Sequence, residues 1–177
     1  MSLLQYKNTT KERRIGVAQV DMFLKIDGVD GESPDSKHKG EIEISSFSWG
    51  AQQMGTASSG GGAGAGRAHF HDFTFTKKFD KASPVLMEHC ASGKHLPSVA
   101  FVARKAGGTQ QEYLKIKFTD VLVSSYQVHG DENSVVPMDS ISLNFSKIES
   151  EYKEQKADGT LGGSVKKGWS IKENKAV

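Results

Sequence analysis

Apolar and polar residues alternate along most of this chain. In EYLKIKFTDVLVSSYQV (112–128), Leu114, Ile116 and Phe118 share one face, and Tyr113, Lys115, Lys117 and Thr119 share the other. A period of two is the signature of a half-buried strand. DSISLNFSKIESEY (139–152) alternates through Ile141, Leu143 and Phe145, and then Ile148 and Tyr152 change parity. That shift predicts a bulge near Ser146 or Lys147, where a long strand bends. In AHFHDFTFTKKF (68–79), Phe73 and Phe75 fall on one face and Phe70 on the other. Further strands are expected at Met22–Ile26, Glu41–Trp49, Ser98–Arg104 and Val165–Lys172.

One segment departs from this period. In SPVLMEHCASGK (83–94), Ser83 is placed to cap a helix, Pro84 suits its first turn and Gly93 its exit. Leu86 and Cys90 lie four apart, on one face that can pack against a sheet. Many strands around one short helix predict a mainly β fold, a small β-barrel of antiparallel strands with one flanking α-helix. No strand–helix rhythm or solenoid repeat competes with that reading.

Composition narrows the function. A chain of 177 residues suits one domain with one core. The net charge of +2 is too mild to argue for nucleic acid. Cys90 is the single cysteine, which leaves no internal disulfide and no thiolate zinc site. No run approaches the roughly 18 apolar residues of a membrane helix, so no membrane insertion is expected. The opening MSLLQYKNTTKERRIG carries basic residues without an apolar stretch after them, unlike a secretory signal.

The stretch GTASSGGGAGAGRA (55–68) invites a phosphate-binding reading. Gly61 and Gly66 have Walker spacing, but Arg67-Ala68 replaces the lysine and hydroxyl that hold phosphate and magnesium. Gly60, Gly62 and Ala65 fit the dinucleotide fingerprint loosely, yet a strand pattern follows instead of the required helix. His69 and His71 are two apart on a strand without a third ligand and read as solvent- or lumen-facing. Cys90 reads as a small buried hydrophobe. No catalytic residue, metal or cofactor is therefore expected. Two binding readings remain at this level. One is a monomeric ligand-binding barrel with the glycine-rich loop as a lid. The other is a single-stranded nucleic-acid barrel, which needs exposed aromatics, whereas Phe73, Phe75, Phe118 and Phe145 follow core parity.

Ordered segments along the chain carry a resemblance. VDMFLKIDGVDGES (20–33), FSWG (47–50) and the glycine run ending in Arg67 come first, followed by FTK (75–77), DKASPVL (80–86) and CASGKHLP (90–97). RKAGG (104–108), EYLKI (112–116), VLVSS (121–125), LNF (143–145), QKADG (155–159) and GWSI (168–171) complete the series. From Val20 onward the chain resembles the haemolysin-coregulated proteins, Hcp, the tube proteins of type VI secretion systems. The resemblance implies a structural subunit rather than an enzyme, forming homo-hexameric rings that stack into a tube. It implies a contractile sheath and a VgrG-type spike as partners, with effector proteins carried or chaperoned in the lumen. Such a protein is cytoplasmic before firing and then secreted through the apparatus without a signal peptide. The stretch around 51–67 corresponds to an extended loop that contacts the neighbouring ring, which makes Gln53, Met54, Gly55, Ser58, Gly61, Gly64 and Arg67 the candidate stacking residues. A loop this long is uncommon unless it is functional or disordered. Residues 17–177 form the expected domain; residues 1–16 extend beyond the family's usual start and are expected to be a disordered tag remnant or the product of an upstream start.

Overall fold

The structure is a computed structural model that describes residues 20–53, 67–105, 110–132, 134–156 and 159–177. The expected extension at 1–16 lies outside them. Its spine is β9 (Met138–Gln155), an 18-residue strand with β8 (Glu112–His129) antiparallel along one edge. Two strands share its other edge. β6 (Phe73–Lys78) pairs with Met138–Leu143, and β10 (Leu161–Ser170) pairs with Lys147–Gln155. Beyond β8 come β7 (Leu96–Lys105), β1 (Val20–Ile26) and β2 (Ile42–Glu43), while β3 (Ser46–Ser48) lies against β6. β11 (Lys175–Ala176) flanks β10, and β4 (Ala51–Gln52) pairs with β5 (His69–Phe70) as a separate ribbon.

The expected single strand at Glu41–Trp49 is two short ones with a corner between them. The Ile44 amide donates to Met22 O on β1 (3.0 Å), and the Ser45 amide donates to Thr76 O on β6 (2.7 Å). The chain thus leaves one wall of the fold and joins the other within two residues. The mainly β expectation holds, but this corner replaces a continuous ladder and the barrel is not closed.

The core follows the alternation. Phe73, Phe75, Phe101 and Phe118 are fully buried, and the Phe73 ring lies 4.8 Å from Phe118 and 5.6 Å from Phe101. Each such side chain contributes roughly 1.5–3 kcal/mol by leaving water. The parity change in β9 is real, with Phe145 and then Ile148 buried. It needs no extra residue there, because β8 changes parity opposite it. Val121 follows Phe118 into the core around Asp120, whose φ is 53°, and the pairing keeps register from Thr119↔Lys147 to Val121↔Phe145. The register shift lies instead between Val123 and Ser125.

Helix α1 (Ala82–Ser92) packs on β8 through Leu86 and exits through Gly93 at φ 66°, a conformation that suits glycine. Ser83 is not its N-cap. Lys81 precedes the helix without a side-chain cap of its own, and the Asp80 carboxylate accepts the Ala82 amide (2.9 Å), while the Ser83 hydroxyl accepts the Asp80 amide (3.0 Å) from inside the first turn. The last expected strand, Val165–Lys172, begins earlier and ends at Ser170, where a turn leads into β11.

Candidate functional site

Two buried polar clusters tie the fold together. Lys77 and Asp139 stand directly opposite each other in the β6–β9 ladder and are both fully buried. Lys77 Nζ lies 2.9 Å from Asp139 Oδ2, and it donates to Asp80 Oδ1 and Ser83 Oγ at 2.7 Å each. The Ser83 and Tyr126 hydroxyls donate to Asp139, so both charges are paired and hydrogen-bonded. The group clamps α1 onto the sheet.

The second cluster pins residues 33–41 over β1. Arg104 on β7 donates to Asp21 and Asp35, and its guanidinium carbon sits 4.8 Å from the Phe23 ring centroid. His38 stacks on Phe23 at 4.2 Å, with Nδ1 2.7 Å from Glu41 Oε2 and Nε2 3.3 Å from Glu112 Oε1. The hydrogen-bonded Arg104 guanidinium holds the Asp35 carboxyl well below the usual carboxylate range. Burial pushes the Glu112 carboxyl up, but Lys115 and His38 outweigh it and leave a net fall. These charges hold elements in place. Among the described residues no group of three His, Cys, Asp or Glu side chains is arranged to hold a metal.

Three features of the outer surface stand out. The β4–β5 ribbon projects from the start of β6, with Ala51 opposite Phe70 and Gln52 opposite His69. Phe70 roots it by packing edge-on against Phe145 at 6.5 Å, while His69 and His71 are exposed with rings 5.3 Å apart. Of the candidate stacking residues, Gln53 is exposed at the ribbon's outgoing end, and Arg67 donates to Ile171 O beyond β10. Met54, Gly55, Ser58, Gly61 and Gly64 lie outside the described residues.

A second outward feature is a wing, formed where the far half of β9 and β10 extend past the barrel wall. Cross-strand neighbours share a sheet face, so the row Ala103–Leu114–Tyr152–Val165 follows the core side across four strands. Exposure along it rises from 1% at Ala103 to 49% at Tyr152 and 61% at Val165. The core-facing side simply runs out of cover. A third feature is a depression of ≈ 400 Å³ at the opposite end of β9, lined by Glu32, Glu43, Lys78, Phe79, Asp80 and Val136 among others. Phe79 and Val136 are exposed there.

Alternation alone missed Lys77 and Asp139, though both sit at core positions of their strands, in series with Phe75 and Ile141. It missed the wing as well, because Tyr152 and Val165 carry core parity without a covering wall. The four phenylalanines assigned to the core, Phe73, Phe75, Phe118 and Phe145, are all buried, so none of these four is open to stack on a single-stranded nucleic acid.

Residues 23–152, well over half of the chain, match the family described as "Type VI secretion system effector, Hcp". This chain belongs to the Hcp family. Protein hcp1 of Pseudomonas aeruginosa is 46% identical over 157 residues, covering 88% of this chain and 97% of that protein. Among solved structures, Hcp1 from Salmonella typhimurium superposes with a TM-score of 0.74 at 38% identity, covering 89% of this chain and 99% of that one. The solved structure of a type six secretion system protein reaches 0.85 at 35% identity, covering 90% of this chain and 100% of that one. Hcp proteins are a structural family of type VI tube proteins secreted by that system. Among the described residues no helix is long and apolar enough to cross a membrane.

Proposed function

We propose that this Hcp protein is the structural subunit of a type VI inner tube, assembling as hexameric rings that stack and carry effector proteins in the lumen. The sheath and a VgrG-type spike are its partners, and it waits in the cytoplasm until firing exports it. The observation that carries this reading is the 46% identity to hcp1 along 97% of that protein's length. The exposed core-parity wing supports it, since apolar sheet surface of that kind is characteristic of subunits that pack against neighbours. Size-exclusion chromatography with light scattering tests it, with electron microscopy of the same fractions. Six protomers and visible rings are expected; a strict monomer at high concentration refutes the reading.

The candidate stacking residues Gln53, Met54, Gly55, Ser58, Gly61, Gly64 and Arg67 belong to this proposal as the contact between rings. Gln52 and His69 are paired, so Gln53 and Ala68 are the next positions out, and a two-residue Asn-Gly turn can join them. Replacing residues 54–67 by Asn-Gly shortens the loop at no added closure entropy. The variant is expected to unfold cooperatively and to form rings that no longer stack or support secretion. Monomers would place the loop within the ring, and normal tubes would show it to be a linker. A lid over a ligand pocket predicts unchanged assembly with weakened small-molecule binding.

A further inference from the structure

We infer that the wing of one copy seats in the depression of the next, making a head-to-tail contact between protomers. This rests on the ring reading above and assigns the surfaces that close the ring. The wing offers Tyr152 and Val165 on its uncovered face, and Lys167 lies on that same face, opposite Ser150 in the row that starts at Leu24 and Phe101. Lys167 is exposed and has no carboxylate partner among the described residues. The depression offers the converse, with exposed Phe79 and Val136 beside the carboxylates of Glu32 and Glu43. Among the described residues those two accept only neutral donors, the Lys81 amide and the Ser33 hydroxyl. Among the described residues of its lining Lys78 is the one cation, against Glu32 and Glu43, while Asp80 is already paired with Lys77. An apolar face with a free cation therefore has a counterpart of the same character and opposite sign.

Topology makes the contact intermolecular. The depression adjoins the start of β9, where Met138 pairs with Lys78, and the wing occupies its other end around Tyr152. From Ile141 to Tyr152 the strand spans about 35 Å at ~3.3 Å per residue. A donor and an acceptor at opposite ends of one strand cannot meet within a protomer. Repeated from copy to copy they form a heterologous interface, which generates a ring when the rotation closes. Contact through the face also fits the character of the β10 edge. Lys166, Lys167 and the glycines at 162 and 163 discourage indiscriminate strand pairing along it.

The test is a charge exchange across the contact. A wing variant carries Val165→Asp and Lys167→Glu, and a depression variant carries Glu32→Lys and Glu43→Lys. All four positions are exposed, and cooperative unfolding of each variant confirms that it is folded. Either variant alone places like charges together, and association is expected to fall by more than about 100-fold, leaving monomers by light scattering. An equal mixture brings opposite charges together at every contact and is expected to restore the ring. The single exchanges Lys167→Glu and Glu32→Lys repeat the test with less disturbance of β10. Rings from either variant alone, or no recovery on mixing, overturn the assignment while leaving the ring reading intact. A parent protein that is itself monomeric overturns the ring reading and this contact with it.

Discussion

Replacing Lys77 by methionine removes the cation that faces two carboxylates, Asp139 at 2.9 Å and Asp80 at 2.7 Å. Lys77 and Asp139 are both fully buried, so the loss leaves an uncompensated charge where water cannot reach it. Removing one partner of such a pair costs about 3–5 kcal/mol. Asp139→Asn should cost less, because Lys77 then keeps Asp80, the Ser83 hydroxyl and the Lys78 carbonyl. The loss is then at least one hydrogen bond to a charged carboxylate, about 1.5–3 kcal/mol for each. The asparagine amide replaces an oxygen that accepts from Lys77 and Ser83 or from Tyr126. Combining the two substitutions should cost less than their sum by about 0.5–3 kcal/mol, since the members of one network are coupled. Urea unfolding at fixed protein concentration, followed through Trp49 and Trp169, measures all three, with light scattering confirming equal oligomeric states. In thermal terms Lys77→Met is expected to lower Tm by roughly 6–20 °C for a domain of this size. A cost below about 1 kcal/mol for Lys77→Met, or a larger cost for Asp139→Asn, would refute the clamp reasoning.

Leu86 is fully buried under α1, so Leu86→Ala should cost about 2–5 kcal/mol in the same assay, and a midpoint equal to the parent's would show the helix to be loosely held. A Cβ at Gly31 would stand 2.3 Å from Glu41 O, a backbone atom, so Gly31→Ala should destabilise by about 1–3 kcal/mol through displacement of the loop, and an unchanged Tm would contradict that close approach. Asp35 titrates below its ordinary value of 3.8 in the folded state, so the unfolded chain binds the proton more readily. Its stabilisation is complete above the ordinary carboxylate range and is lost as pH falls through and below it. Asp35→Asn should therefore lower stability at neutral pH and flatten the acid limb below about pH 4, and parallel acid limbs in the two proteins would rule the Arg104 pairing out as the cause.

How much of this was legible in the chain depends on what a period of two encodes. Alternation states which side of a sheet a residue faces, and it placed Phe73, Phe75, Phe118, Ile141 and Leu143 correctly in the core. It carries no information on pairing, so Lys77 and Asp139 read as ordinary polar residues until the β6–β9 register set them opposite each other. A helix cap depends on backbone entry. Ser83 has the right side chain, but it is the Asp80 carboxylate, three residues earlier, that accepts the Ala82 amide of the first turn. The corner at Ile44 and Ser45 escaped for a similar reason, because two successive amides serve different walls and the residues between carry no glycine or proline to mark the break. The wing shows the limit most clearly. Tyr152 and Val165 obey the core pattern as strictly as Leu114, yet β6 leaves the edge of β9 at Leu143 and no opposite wall follows. A pattern written for burial on a surface that one chain leaves uncovered is the pattern of a subunit. Among the described residues no wall covers that surface, and the depression beside Glu32 and Glu43, at the other end of β9, offers apolar surface and opposite charge for a second copy to supply that cover.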